Sequence, residues 1–312
     1  MRVAVTGAAG RLGRALVSAL ADAPFTGPAG PLDWDRTAFD LDAPDGVAAL
    51  LDRDRPEVVV HAAAWSDVDG CALDPALALR RNGEATGILA TACAERGIDL
   101  VAISTNEVFD GRRLDGAGYA PADPPAPGNP YGASKLDGER RAQAAFDGRT
   151  SASLGIVRTA WLFGTPGRDF PSRILDAASR AASGGEPLRV VGDEWGTPTY
   201  THDLAEAIVD LLASDAIDGI HHVVNGHFAT RADWARYIVA RAGLEVEIVD
   251  IPMTGWQRPS TPPRWGVLAS TPLPSGEPLR PWPDAMADYA PALLRTARAA
   301  RTSTAGRAGA TS

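Results

Sequence analysis

Thr6-Gly7-Ala8-Ala9-Gly10-Arg11-Leu12-Gly13 lies between a short apolar run, Arg2 to Val5, and a segment in which Leu12, Ala15, Leu16, Ala19 and Leu20 fall on one helical face. Strand, glycine turn and helix in that order predict a dinucleotide-binding unit. Gly7 lets the backbone bend, Gly10 lets a pyrophosphate approach the helix N-terminus, and Gly13 lets helix and strand pack tightly. Anion binding at such a turn uses backbone N–H groups and needs no side-chain charge.

The same alternation continues along the chain. Val58 to Ala62 is a continuous apolar strand, Ala76 to Arg96 reads as helix, and Leu100 to Ser104 is another strand. A Pro-rich loop (Pro121, Pro124, Pro125, Pro127) precedes a helix over Pro130 to Phe146 and a strand over Leu154 to Val157. Unbroken apolar strands alternating with helices imply a parallel sheet covered on both faces. The expected fold is therefore α/β, a doubly wound (Rossmann) domain over 1–158 with a smaller C-terminal substrate-binding domain over 159–296. Short elements at Phe170 to Ala182, Leu188 to Val191, Asp203 to Leu212 and Ala232 to Ala242 fill that second part, some of them returning to the sheet. The stretch 297–312, rich in Ala, Arg, Ser, Thr and Gly, reads as a disordered tail.

Composition narrows the function. Thirty Lys and Arg against 39 Asp and Glu give a net charge of −9, the wrong sign for neutralising a phosphate backbone, so a nucleic-acid partner is not expected. Cys71 and Cys93 have no CxxC spacing, which excludes a disulfide framework and predicts a reducing, cytoplasmic location. No apolar run approaches membrane-spanning length, and no secretory leader is expected. The five histidines are scattered or, as with His221 and His222, point to opposite faces of one strand, so no metal site is assigned.

Asn129-Pro130-Tyr131-Gly132-Ala133-Ser134-Lys135 places Tyr131 and Lys135 at i and i+4 on one helix face. Asn129 suits the N-cap and Pro130 the first helical position. An ammonium beside a phenol is expected to lower its pKa towards working pH, as a general acid requires. Thr105 would sit at the carboxyl edge of the sheet, so three groups converge on one carbonyl. For the acidic residue expected about 20 residues beyond the glycine turn, Asp33, Asp35 and Asp40 compete; Asp35 is favoured, with Arg36 beside it to meet a 2′-phosphate.

TGAAGRLG, AAAWSDVDG (62–70), STNEVFDG (104–111), NPYGASKLDGE (129–139), RTAWLFG (158–164), GDEWGTPTYTHDLA (192–205) and LRPWPDAMADY (279–289) resemble the dTDP-4-dehydrorhamnose reductase family of extended short-chain dehydrogenase/reductases. The resemblance runs from residue 1 to about 290 and implies reduction of the 4-keto group of a dTDP-6-deoxyhexose by NADPH or NADH. It implies Tyr131 as proton donor, Lys135 as holder of the nicotinamide ribose, and Thr105 on the same carbonyl. The cofactor contacts it implies are Gly7, Gly10, Arg11, Leu12, Gly13, Asp35, Arg36, Asp40, Leu41, Ala62, Ala63 and Ala64, with Tyr131 and Lys135. Thr105, Asn106, Glu107 and Trp161 would face the nucleotide sugar. Trp161 also reads as a core aromatic, and Trp65, Trp195 and Trp282 carry no assigned role.

Asn106-Glu107 departs from the Asp-Tyr usual in that family. Glu107 follows Thr105 by two positions and, if the strand persists, points towards substrate on the same side. Thr-Asn-Glu also resembles the Thr-Asp-Glu of nucleotide-sugar 4,6-dehydratases, so a dehydratase or epimerase using Glu107 stays open. Asn106 cannot donate and recover a proton as an acid does. A noncatalytic regulatory subunit, like that of methionine adenosyltransferase, is the alternative of another class. The exact nucleotide and sugar, the cofactor preference and the oligomeric state, a homodimer included, are not fixed by the sequence.

Overall fold

Six short segments assemble into one parallel sheet: β1 (Val3–Thr6), β2 (Leu32–Trp34), β3 (Val58–His61), β4 (Asp99–Thr105), β5 (Leu154–Thr159) and β6 (Gly219–His222), in the order β6-β5-β4-β3-β1-β2. The structure, a computed structural model, describes residues 1–166 and 168–308, with side chains to 296. β1, β3, β4 and β5 are buried along almost their whole length, which is why they read as unbroken apolar runs. β1 pairs with β2 on one side and β3 on the other, so the strand order reverses there. A crevice outside the carboxyl ends of those strands is the usual ligand position in such sheets.

Helices cover both faces. On one, α1 (Arg11–Asp22) brings Leu12, Leu16 and Leu20 against Leu204, Ile208, Leu211 and Leu212 of α6 (Thr201–Ala213), over Val3, Val5, Val58 and Val60. On the other, α2 (Val47–Asp54), α3 (Ala85–Glu95) and α4 (Pro130–Phe146) enclose Leu50, Leu89, Cys93, Ala142 and Phe146 over Val59 and Leu100. The helix expected over Ala76–Arg96 is a composite of Pro75–Ala78, a π-helical segment Leu79–Glu84, and α3. Cys71 and Cys93 are free and buried.

A second core lies around Phe163, Leu175, Trp234, Ile238, Met286 and Tyr289. It is built from α5 (Phe170–Gly184), α7 (Arg231–Arg241), α8 (Trp282–Ala308) and three two-stranded pairs, 162–163 with 199–200, 188–191 with 248–251, and 195–196 with 229–230. Helix α8 takes in part of the stretch expected to be a disordered tail, because Ala and Arg are good helix formers. Residues 309–312 of that tail lie outside the described residues. No helix among the described residues is long and apolar enough to cross a membrane.

Candidate active site

The glycine turn is built for close approach. Gly7 has a φ of 66°, a left-handed conformation that favours glycine, and a Cβ there would lie 2.9 Å from Ala63 Cα. A Cβ at Gly13 would overlap the Gly7 carbonyl, so α1 rests directly on the turn. Gly10 is the N-cap of α1 and offers no side-chain acceptor, leaving the first helical N–H groups to a ligand. A groove of about 300 Å³ runs along this turn, lined by Gly7, Gly10, Arg36, Asp40, Leu41, Asp42, Ala62, Ala63, Ala64, Trp65 and Arg81 among others. Such a cradle, with backbone exposed at one end and two arginines at the other, fits a nicotinamide dinucleotide.

Buried polar contacts fix the groove wall. Thr6 Oγ1 and His61 Nδ1 are 2.8 Å apart, His61 Nε2 and Thr86 Oγ1 are 3.1 Å apart, and Thr6 Oγ1 accepts from Ala63 N–H. Burial pushes the His61 imidazole down to about 3, so it is neutral here. Asn82, on the π-helical segment, bonds Trp65 N–H and carbonyl and also donates to Ser134 Oγ, tying the groove to α4.

Asp35 is not in the groove lining. Its Oδ1 accepts from Thr37 N–H at 2.9 Å, Thr37 Oγ1 at 2.6 Å and Ala38 N–H at 3.3 Å. One oxygen of the favoured ribose acceptor thus closes its own turn, as Asp commonly does, and all three of these bonds fall on Oδ1. Arg36, Asp40 and Leu41 do line the groove, and Asp42 and Arg81, which the sequence reading missed, join them.

The catalytic candidates converge on α4. Asn129 caps it through Oδ1 and Gly132 N–H at 2.9 Å, and Pro130 occupies its first turn. Thr105, the last residue of β4, lies beside the Tyr131 phenol, and its own hydroxyl donates to Asn106 Oδ1 at 3.3 Å. Lys135 is buried one turn further on. The protonation picture differs from expectation: burial pushes the Tyr131 phenol above its usual range, the Glu107 carboxylate adds to this, and the Thr105 hydrogen bond opposes it. Burial disfavours a phenolate here, and that is the largest cause of the shift. Burial lowers Lys135 to about 8, against an opposing pull from Glu139.

Glu139 ends the same helix face in a buried network. It accepts from Ser104 Oγ and from Arg158 Nε and Nη2 at 3.0 and 2.7 Å, with both charged side chains almost fully buried. Arg158 lies 5.2 Å over the Phe109 ring. Neither Glu139 nor Arg158 was singled out from the sequence, though both lie inside motifs that were.

Glu107 is placed by a 3₁₀ turn, Asn106–Val108, and not by a continuing strand. The two-residue alternation therefore stops at Thr105, and Glu107 reaches the site by the turn. Its Oε2 accepts from Asn129 Nδ2 at 2.7 Å. Burial raises its carboxyl to about 7, partly opposed by that hydrogen bond. Asn106 is buried, its Nδ2 donating to the Gly266 carbonyl at 3.0 Å and its Oδ1 accepting from Thr105. That amide joins two parts of the chain and is not turned to a substrate.

Trp161 belongs to the second core. Its ring stacks on Trp234 with centroids 5.8 Å apart and carries the Arg231 guanidinium 3.5 Å from its own centroid. Arg231 is in turn held by Glu194 at 2.8 Å. The core-aromatic reading of Trp161 accounts for these contacts, while Trp195 lines a large pocket of about 1030 Å³ together with Arg112, Arg113, Glu194, Trp256, Arg258, Thr261 and Trp265, among others. This pocket meets the catalytic helix at Thr261, whose carbonyl accepts from Asn129 Nδ2 at 3.1 Å.

Comparison with known proteins gives the same outline. The family model described as RmlD substrate binding domain matches residues 1–294. A dTDP-4-dehydrorhamnose reductase of Burkholderia thailandensis is 34% identical over 88% of this chain and 92% of its own length. A dTDP-4-keto-6-deoxy-D-glucose reductase of Streptomyces niveus is 38% identical over 77% of this chain and 78% of its own. The solved dTDP-4-dehydrorhamnose reductase of Bacillus anthracis, in complex with NADP, has a TM-score of 0.81 at 28% identity and covers 92% of this chain and 98% of that one.

Proposed function

Because the chain belongs to the family of the RmlD substrate-binding domain, that of the dTDP-4-dehydrorhamnose reductases, we infer that it is an NAD(P)H-dependent oxidoreductase reducing the 4-keto group of a dTDP-linked 6-deoxyhexose in deoxysugar biosynthesis. The observation that carries the reading is helix α4, capped by Asn129 through Gly132 N–H, which sets Tyr131 and a buried Lys135 one turn apart beside the end of β4.

The hydride for the carbonyl carbon would come from a reduced nicotinamide held in the groove of the glycine turn. Gly7, Gly10 and Ala62 to Ala64 support the dinucleotide, with Arg11, Leu12 and Gly13 at the start of α1 and Leu41 and Arg36 towards its adenosine end. Lys135 holds the nicotinamide ribose. Tyr131 Oη gives its proton to the 4-keto oxygen, so hydride and proton together convert ketone to alcohol. A phenol held above its usual pKa keeps that proton at neutral pH, which suits an acid. Thr105, beside the phenol at the end of β4, would face the same keto oxygen.

Residues 159–296 would mainly bind the nucleotide sugar, with the aromatic and basic walls of the large pocket suited to a base and a diphosphate. Glu107 would accept a sugar hydroxyl. The free thiols Cys71 and Cys93 fit a reducing cytoplasm.

The test is turnover of dTDP-4-keto-6-deoxy sugars with NADPH and with NADH, followed by absorbance of the reduced nicotinamide. Tyr131→Phe should lose about 100- to 10,000-fold in kcat while retaining cofactor binding. Undiminished turnover in that variant removes the assignment.

A further inference from the structure

We propose that Arg81 is a cofactor-specificity residue, forming with Arg36 a two-guanidinium seat for the 2′-phosphate of NADPH that the Asp42 carboxylate fills in its absence. The proposal rests on the nicotinamide-cofactor reading above and adds a discrimination that reading does not contain.

Both guanidiniums converge on one oxygen. Arg81 Nη2 lies 2.7 Å and Arg36 Nη2 3.0 Å from Asp42 Oδ2, while Arg81 Nε lies 2.6 Å from Oδ1 of the same carboxylate. Arg81 and Asp42 are 39 residues apart, so no local turn forces this meeting. All three residues line the groove that contains Gly7 and Gly10. The glycine turn handles the pyrophosphate through backbone N–H groups, which leaves the two arginines unspent on it.

NADPH differs from NADH by one ribose phosphate, a group with several acceptor oxygens and more charge than a carboxylate. A guanidinium has five N–H donors, so Arg81 and Arg36 retain donors beyond those on Asp42. Arg81 is the better-held partner: its guanidinium lies 5.2 Å from the Trp65 ring centroid, and its side chain is 23% exposed against 75% for Arg36. Two carboxylates compete for the guanidiniums, Asp42 and also Asp40, whose Oδ2 lies 3.5 Å from Arg36 Nε in the same groove, and they moderate the preference.

The measurement is the dissociation constant of NADPH and of NADH by titration calorimetry, on the full chain and on Arg81→Met, which keeps an apolar stem over Trp65. Wild type should bind NADPH about tenfold more tightly than NADH, and Arg81→Met should weaken NADPH by about that factor while leaving NADH within about twofold. Added salt should narrow the wild-type gap. Equal weakening of both cofactors, or of neither, overturns the assignment of Arg81. If Arg81→Met does not fold, Arg81→Gln decides, since it removes the charge and keeps a polar side chain: a reduced gap with NADH binding intact supports the seat, and an unchanged gap overturns it. A wild-type protein that binds neither cofactor overturns the oxidoreductase reading and this inference with it.

Discussion

Asn129 holds Glu107 with its amide nitrogen at 2.7 Å and starts helix α4 with its amide oxygen, which accepts from Gly132 N–H at 2.9 Å. One side chain thus sets both the helix that carries Tyr131 and Lys135 and a carboxyl that acts on that tyrosine.

Asn129→Ala should cost about 1 kcal/mol of stability through the lost cap. Asn129→Asp keeps an acceptor for Gly132 N–H but places a second carboxyl against Glu107. Urea midpoints should rank the alanine variant below wild type, and an unchanged midpoint would contradict the capping role.

Glu107 makes stability pH-dependent. Burial raises its carboxyl from 4.5 to about 7, so between those values the folded chain holds a proton that the unfolded chain releases. Stability therefore falls as pH rises through that window. Glu107→Gln removes this contribution. Its denaturation midpoint relative to wild type should improve between about pH 5 and pH 8, and a constant difference would show that Glu107 does not titrate there.

The chemistry of Glu107 can be separated from its binding role. As a hydroxyl acceptor it tightens ground and transition states alike, so Glu107→Gln should raise KM and spare kcat. Incubation with keto sugar in heavy water without reduced cofactor should leave the carbon beside the carbonyl undeuterated. Exchange there that disappears in Glu107→Gln would instead establish a base and favour epimerase or dehydratase chemistry.

Lys135 should set an alkaline limb. Burial lowers it to about 8, so its charge, present below that value, is lost above it. The pH profile of kcat/KM should fall above about pH 8, and Lys135→Arg, charged throughout the range, should move the limb upward at some cost in geometry. A limb that stays in place would assign it to another group.

The Glu139–Arg158 pair should be costly to break and cheaper to replace. Both side chains are almost fully buried at a separation of 2.7 Å. Glu139→Gln leaves a buried guanidinium without its counter-ion, a loss of about 3–5 kcal/mol, whereas Glu139→Leu with Arg158→Met should lose less. Calorimetric melting of the three proteins checks the order.

The glycine turn and α4 were legible because short-range spacing alone defines them: GxxGxxG between strand and helix, and Asn-Pro ahead of Tyr131 and Lys135. Spacing could not show that Asp35 also closes its own turn, since a carboxylate after a strand can serve a ribose, its own turn or both. The nearby Thr37 hydroxyl and backbone engage its Oδ1. Glu107 was placed by extending a two-residue alternation past Thr105, where the chain tightens into a 3₁₀ turn. Arg81 and Asn82 had no local signature, since a π-helical segment turns one to the groove and the other to Ser134. The pair Glu139–Arg158 is fixed only when α4 packs on β5.

Strand β6 and helix α6 have a consequence for biosynthesis. Leu204, Ile208, Leu211 and Leu212 cover Leu12, Leu16 and Leu20, and β6 closes the sheet beside β5. A ribosome must go on from the helix behind the glycine turn, Arg11–Asp22, to Thr201–Ala213 before that helix is sheltered from water. A nascent chain ending near residue 158 displays an apolar stripe with no cover, the kind of surface that recruits chaperones or self-associates. The glycine turn and its helix are made well before the helix that completes them.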